Sequence, residues 1–126
     1  MDPQQELFTA IRTLLCSIHG NVYDGALPME CPYPFDYIAE SYQSDTANKS
    51  AIFGTVTQTI HVWHNDPSKR GTLSKRMLEI KQVAQNLERT ANFRWQLVST
   101  NQRILPDNTT KKPLLHGVLE LGFRFS

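Results

Sequence analysis

The run Thr55-Val56-Thr57-Gln58-Thr59-Ile60-His61-Val62-Trp63-His64 constrains this chain more than any other stretch. β-branched and aromatic residues dominate it, and Thr alternates with Val and Ile, the period of a half-buried strand. One face reads Ile52, Val56, Ile60 and Val62; the other reads Thr55, Thr57, Thr59, His61 and Trp63. A strand with an apolar face and a Thr-rich face suits an antiparallel sheet covered on one side only. Gln58 interrupts the apolar face, which points to a bulge or an edge position. Asn65-Asp66-Pro67-Ser68 stops the strand and hands over to a helix.

That helix is expected over about 69–87, capped by Ser68 or Thr72. Leu73, Met77, Ile80, Ala84 and Leu87 form its core stripe, with Lys69, Arg70, Lys75, Arg76, Lys81 and Glu88 mostly off it. A first helix is expected from Pro3 to Ile18. Asp2 stands as N-cap, Leu7, Ile11, Leu14, Leu15 and Ile18 make its stripe, and Gly20 follows. Pro28, Pro32 and Pro34 exclude a central strand in 21–34, although Val22-Tyr23 suits a short edge strand. Further strands are expected at 35–41, with Phe35, Tyr37 and Ala39 on one face, and at about 93–105 and 115–125. Polar loops fill 43–50 and 106–113. The order predicts a single α+β domain over 1–126. Its sheet is mainly antiparallel, of about four strands, with two helices packed on one face. A crossover through the second helix would make one strand pair parallel.

Composition excludes several function classes. The net charge of +1 gives no strong pull toward nucleic acid or anionic membranes. No apolar run reaches the roughly 18 residues of a membrane span, and the polar N-terminus is not expected to be a signal peptide. Cys16 and Cys31, without a secretory signal, are expected to stay reduced.

Catalytic chemistry finds little support. No nucleophile elbow, P-loop or dinucleotide fingerprint is present. His61 and His64, at odd spacing, point to opposite sides of a strand, and no other ligand set accompanies them, so they read as surface or interface histidines. His19 and His116 read as isolated, and Asp24, Glu30, Asp36 and Glu40 as solvated acids. Lys69, Arg70, Lys75 and Arg76 read as a solvated helix face. Trp63, Tyr33, Tyr37 and Tyr42 either make protein contacts or pack under loops. No catalytic residue, metal or cofactor is assigned.

The chain resembles the small tail-completion proteins of long-tailed bacteriophages and prophages, relatives of tail terminators and head-to-tail joining proteins. The resemblance runs in order from about Leu7 to Phe125. It is carried by the amphipathic first helix, Asn21-Val22-Tyr23-Asp24-Gly25-Ala26-Leu27-Pro28 and Pro34-Phe35-Asp36-Tyr37-Ile38. Thr59-Ile60-His61-Val62-Trp63-His64 before the second helix and the closing His116-Gly117-Val118-Leu119-Glu120-Leu121-Gly122-Phe123-Arg124 complete it. It implies a non-enzymatic subunit that joins copies of itself in a ring, commonly a hexamer, at the head-proximal end of the tail. The ring would stop tube growth, dock the tail-tube protein to the connector and neck proteins, and pass DNA without specific binding. Expected contacts lie on Tyr42, Asp45, Asn48 and Lys49, on Trp63, and on Asp107, Asn108, Lys111 and Lys112. The implied location is the virion, with assembly in the host cytoplasm and no membrane partner.

Overall fold

A computed structural model describes residues 2–47 and 52–126. The elements run α1 (Pro3–Ile18), β1 (Val22–Asp24), β2 (Phe35–Ala47), β3 (Ile52–His64), α2 (Arg70–Gln85), β4 (Trp95–Asp107) and β5 (Leu114–Phe125). The class is α+β, as expected. The sheet has five strands in the order β1-β2-β3-β5-β4. The extra member is β1, the short edge strand at Val22-Tyr23, and it pairs parallel to β2 through Val22–Asp36. The expected crossover through α2 does join two strands running the same way, β3 and β4. They are not neighbours, because β5 inserts between them and pairs antiparallel with both.

Both helices cover one face of the sheet. Leu7, Ile11 and Leu15 of α1 and Leu73, Met77, Ile80 and Ala84 of α2 are buried. They meet Val56, Ile60 and Val62 of β3 and Leu119, Leu121, Phe123 and Phe125 of β5 in one apolar core. Leu14 sits at the border and Ile18 is exposed, so the working stripe of α1 is narrower than its apolar count. Asp2 caps α1, accepting from the Gln5 N–H at 3.2 Å. The cap of α2 departs from expectation: Lys69 is the N-cap, with no side-chain bond, because Ser68 donates its hydroxyl to Asp66 instead.

The strands run longer than expected. β2 continues through Gln43 and Asp45 to Ala47, paired with Ile52–Gln58 of β3, so much of the expected loop at 43–50 is ladder. β4 includes Pro106, tolerated because β4 is an edge strand and its outer side needs no donor. In β2 the inward residues are Asp36 and Ile38, opposite Val62 and Ile60; Phe35 and Tyr37 share the other face with Trp63 and His61.

The disturbance flagged by Gln58 is a bulge, placed in the partner strand. The β2 register shifts between Ile38 and Ser41, opposite Thr59 and Gln58. The Gln58 side chain is 1% exposed. Its Nε2 lies 3.0 Å from Ala39 O, 3.2 Å from Glu40 O and 2.9 Å from Thr59 O, supplying donors where the ladder loses them.

Candidate functional site

The second face of the sheet bears no helix. It presents Tyr37, Tyr42, Thr55, Thr57, His61 and Trp63 from β2 and β3. From β5 and β4 come His116, Glu120, Arg124, Asn101, Arg103 and Leu105. Toward the end of this face where β3 closes and β5 begins, His116, directly opposite Trp63, stacks on the indole with ring centroids 3.8 Å apart and planes 5° from parallel. His61 meets His116 through its ring edge, with centroids 4.8 Å apart, and its Nδ1 stands 2.6 Å from His116 Nε2. One nitrogen donates and the other accepts, so the contact holds a single proton between two rings. Burial pushes His61 below the ordinary histidine value, Arg103 adds to the shift and Glu40 opposes it. Burial does the same to His116, reinforced by His61 and Arg103 and opposed by Asp107. His116 is therefore not isolated. The sequence places His61 on the polar face of its strand; its contact with His116 needed the knowledge that β3 and β5 are neighbours.

A second polar cluster lies under α1 and α2. Asp36 is fully buried, with Oδ1 accepting from Arg76 Nε at 2.6 Å and Oδ2 from His19 Nδ1 at 2.5 Å. His19 Nε2 faces Glu79 Oε1 at 3.3 Å. This corrects three expectations: Asp36 is not solvated, His19 is not isolated, and Arg76 leaves the solvated helix face to reach inward. Lys69, Arg70 and Lys75 stay exposed, and Asp24 pairs with Arg12 at 2.9 Å. The cluster ties the end of α1, β2 and α2 together. Among the described residues no group of three or more His, Cys, Asp or Glu side chains is placed to hold a metal, and no helix is long and apolar enough to cross a membrane.

The expected contact residues fall at both ends of the sheet. Tyr42 is 60% exposed on the open face, and Asp45 sits opposite Gly54, accepting from Gln43 Nε2 at 2.7 Å. Asn48 and Lys49 lie outside the described residues. At the other end, Asp107 closes β4 and accepts from the Thr109 N–H at 2.9 Å and from its hydroxyl at 2.6 Å, which holds its carboxyl below the usual range. Asn108, Lys111 and Lys112 are exposed in the loop that follows. Trp63 belongs to this second end. Tyr37 packs under the 25–34 loop, its hydroxyl donating to Gly25 O at 2.5 Å, whereas Tyr33, a residue of that loop, is exposed with its ring 5.4 Å from Phe35.

Comparison with protein-family models and with curated protein sequences finds no match. Solved structures do match. A chain from the virion of a native gene transfer agent particle shares the fold at TM-score 0.65 and 16% identity, over 98% of this chain and 92% of that one. A second solved chain, 11% identical, superposes at TM-score 0.61 over 99% of this chain and 97% of its own length. These superpositions show a shared fold across nearly the whole of each chain.

Proposed function

We propose that this protein is a structural subunit of a phage-type virion, without catalytic activity, that completes the tail at its head-proximal end. The observation that carries this reading is the near end-to-end fold match with a chain of the gene transfer agent virion, in which neither partner has a large unmatched domain. The sequence resemblance to tail-completion proteins narrows it to the tail–neck junction.

In this reading copies of the chain close a ring, commonly of six. A ring built head to tail needs two different patches on each subunit. The two ends of the sheet are different: Tyr42 and Asp45 mark one, Trp63 and the Asp107–Lys112 segment the other. The ring ends tube growth, receives the tail-tube protein on one side and the connector or neck proteins on the other, and lets DNA pass through a near-neutral opening. Its place is the virion, after assembly in the host cytoplasm.

The test is to locate the chain in purified particles with a tag and electron microscopy. Label at the top of the tail supports tail completion. Label along the tube or inside the neck assigns the chain to an adaptor of related fold. Glycine substitutions at Asn108, Lys111 and Lys112 that leave tail assembly and infectivity intact remove that loop from the contact surface.

A further inference from the structure

At one end of the sheet the 25–34 loop projects apolar side chains into solvent. Met29 is 104% exposed and Leu27 47%, and Glu30 beside them is exposed as well. A fully exposed methionine on a loop that touches the sheet through Tyr33 and Phe35 is an unusual use of apolar surface in a folded domain.

Toward the other end lies an apolar recess of about 490 Å³ between α1 and residues 87–91. Ala10, Leu14, Leu87 and Ala91 line it, with Thr9 and Arg89 among its polar neighbours. Its walls are joined by hydrogen bonds. Glu6 on α1 accepts from Thr90 Oγ1 at 2.7 Å, from Asn92 N at 3.1 Å and from Asn92 Nδ2 at 2.7 Å, clasping the helix to the segment that closes the recess. No residue of the projecting loop lines it. Arg89 on the recess and Glu30 on the loop carry opposite charges, and neither forms an ion pair among the described residues.

We propose that Leu27 and Met29 of one copy of this chain seat in the α1 recess of a second copy, with Glu30 set against Arg89. The occupant is a second copy because one chain supplies an apolar projection, an apolar recess and opposite charges beside each. The contact rests on the ring reading above and adds which surfaces meet. It is heterologous, so each subunit uses its loop on one neighbour and its recess on the other, and a suitable rotation closes the series.

The test measures mass by light scattering across a concentration series for the wild type, Met29→Asp and Ala10→Arg, with thermal melts to show that all three fold. The wild type gains mass with concentration. Each variant needs at least about tenfold more protein to do so. Mixing the two variants yields a one-to-one pair that grows no further, since Met29→Asp keeps its recess and Ala10→Arg keeps its loop. Variants that assemble like the wild type, or a mixture that forms no pair, overturn the contact while leaving ring formation standing.

An independent arm replaces Cys16 and Cys31 with Ser and introduces Met29→Cys with Ala10→Cys. Oxidation at high protein concentration then gives a ladder of covalent multimers. Failure to form any ladder overturns the contact even where the wild type stays monomeric in solution. Binding of that same monomer to purified tail ends separately decides the ring reading.

Discussion

Asp36 and Arg76, 40 residues apart, meet inside the molecule with Nε and Oδ1 2.6 Å apart, and the Asp36 side chain is wholly shielded from water. The pair holds α2 against β2, while His19 on the second oxygen holds the end of α1. A buried ion pair earns little over an apolar substitute, yet removing one partner strands a charge in a low dielectric. Arg76→Met and Asp36→Ala are each expected to cost about 3 kcal/mol or more in urea unfolding. The double variant should cost clearly less than the two added together, because both single changes expose the same loss. Strict additivity would show that the pair does not act as a unit.

Gln58 provides a second stability test. Gln58→Leu keeps the volume and removes the donors that serve Ala39 O and Glu40 O at the β2 bulge. The expected loss is about 1–3 kcal/mol, the cost of leaving buried acceptors unmet. Amide exchange at the bulge should accelerate more than exchange in the β4–β5 ladder. An unchanged unfolding midpoint would mean that water replaces the side chain.

The paired histidines predict acid sensitivity. His61 and His116 are both held below the ordinary histidine value of about 6.5, so the unfolded chain takes up protons at a higher pH than the folded chain. Stability from this source is complete above about pH 7 and falls as pH drops through and below the unfolded value. Double protonation also removes the acceptor that the contact between Nδ1 and Nε2 requires. His116→Phe keeps a ring over Trp63 and removes one titrating group, so its urea midpoint should fall less between pH 8 and pH 5.5. Parallel profiles for the variant and the wild type would rule this out.

Gly54 is expected to resist even the smallest side chain. A Cβ there would stand 2.2 Å from Ser44 O and 3.0 Å from Asp45 Cα, both backbone, so β2 itself must move. Gly54→Ala should cost about 1–3 kcal/mol, as overpacking does elsewhere. Gly20→Ala, with nothing within 4 Å of the added atom, should change the thermal midpoint little. Gly117→Ala should fall between them, because the atoms it meets are the flexible end of Met77.

The features legible in the chain are those whose cause is local. The stripe Leu7, Ile11 and Leu15 recurs at helical spacing, and it is buried as that spacing requires. The alternation from Val56 to Val62 sorted the faces of β3 correctly, because side chains alternate along any strand. Gln58 marked the bulge, since a buried amide in an apolar row needs an acceptor, but not which strand carries it. Only the tertiary structure decided the rest. β5 lies between β3 and β4, a matter of which edge is covered by which strand, and this alone brings His116 over Trp63 and against His61. The inward turn of Asp36, Arg76 and His19 has the same origin. A charged residue on a half-buried face looks solvated until its partners, 17 and 40 residues away, are known to pack beside it. Periodicity is a property of neighbours along the chain, whereas pairing and burial of charge depend on neighbours in space.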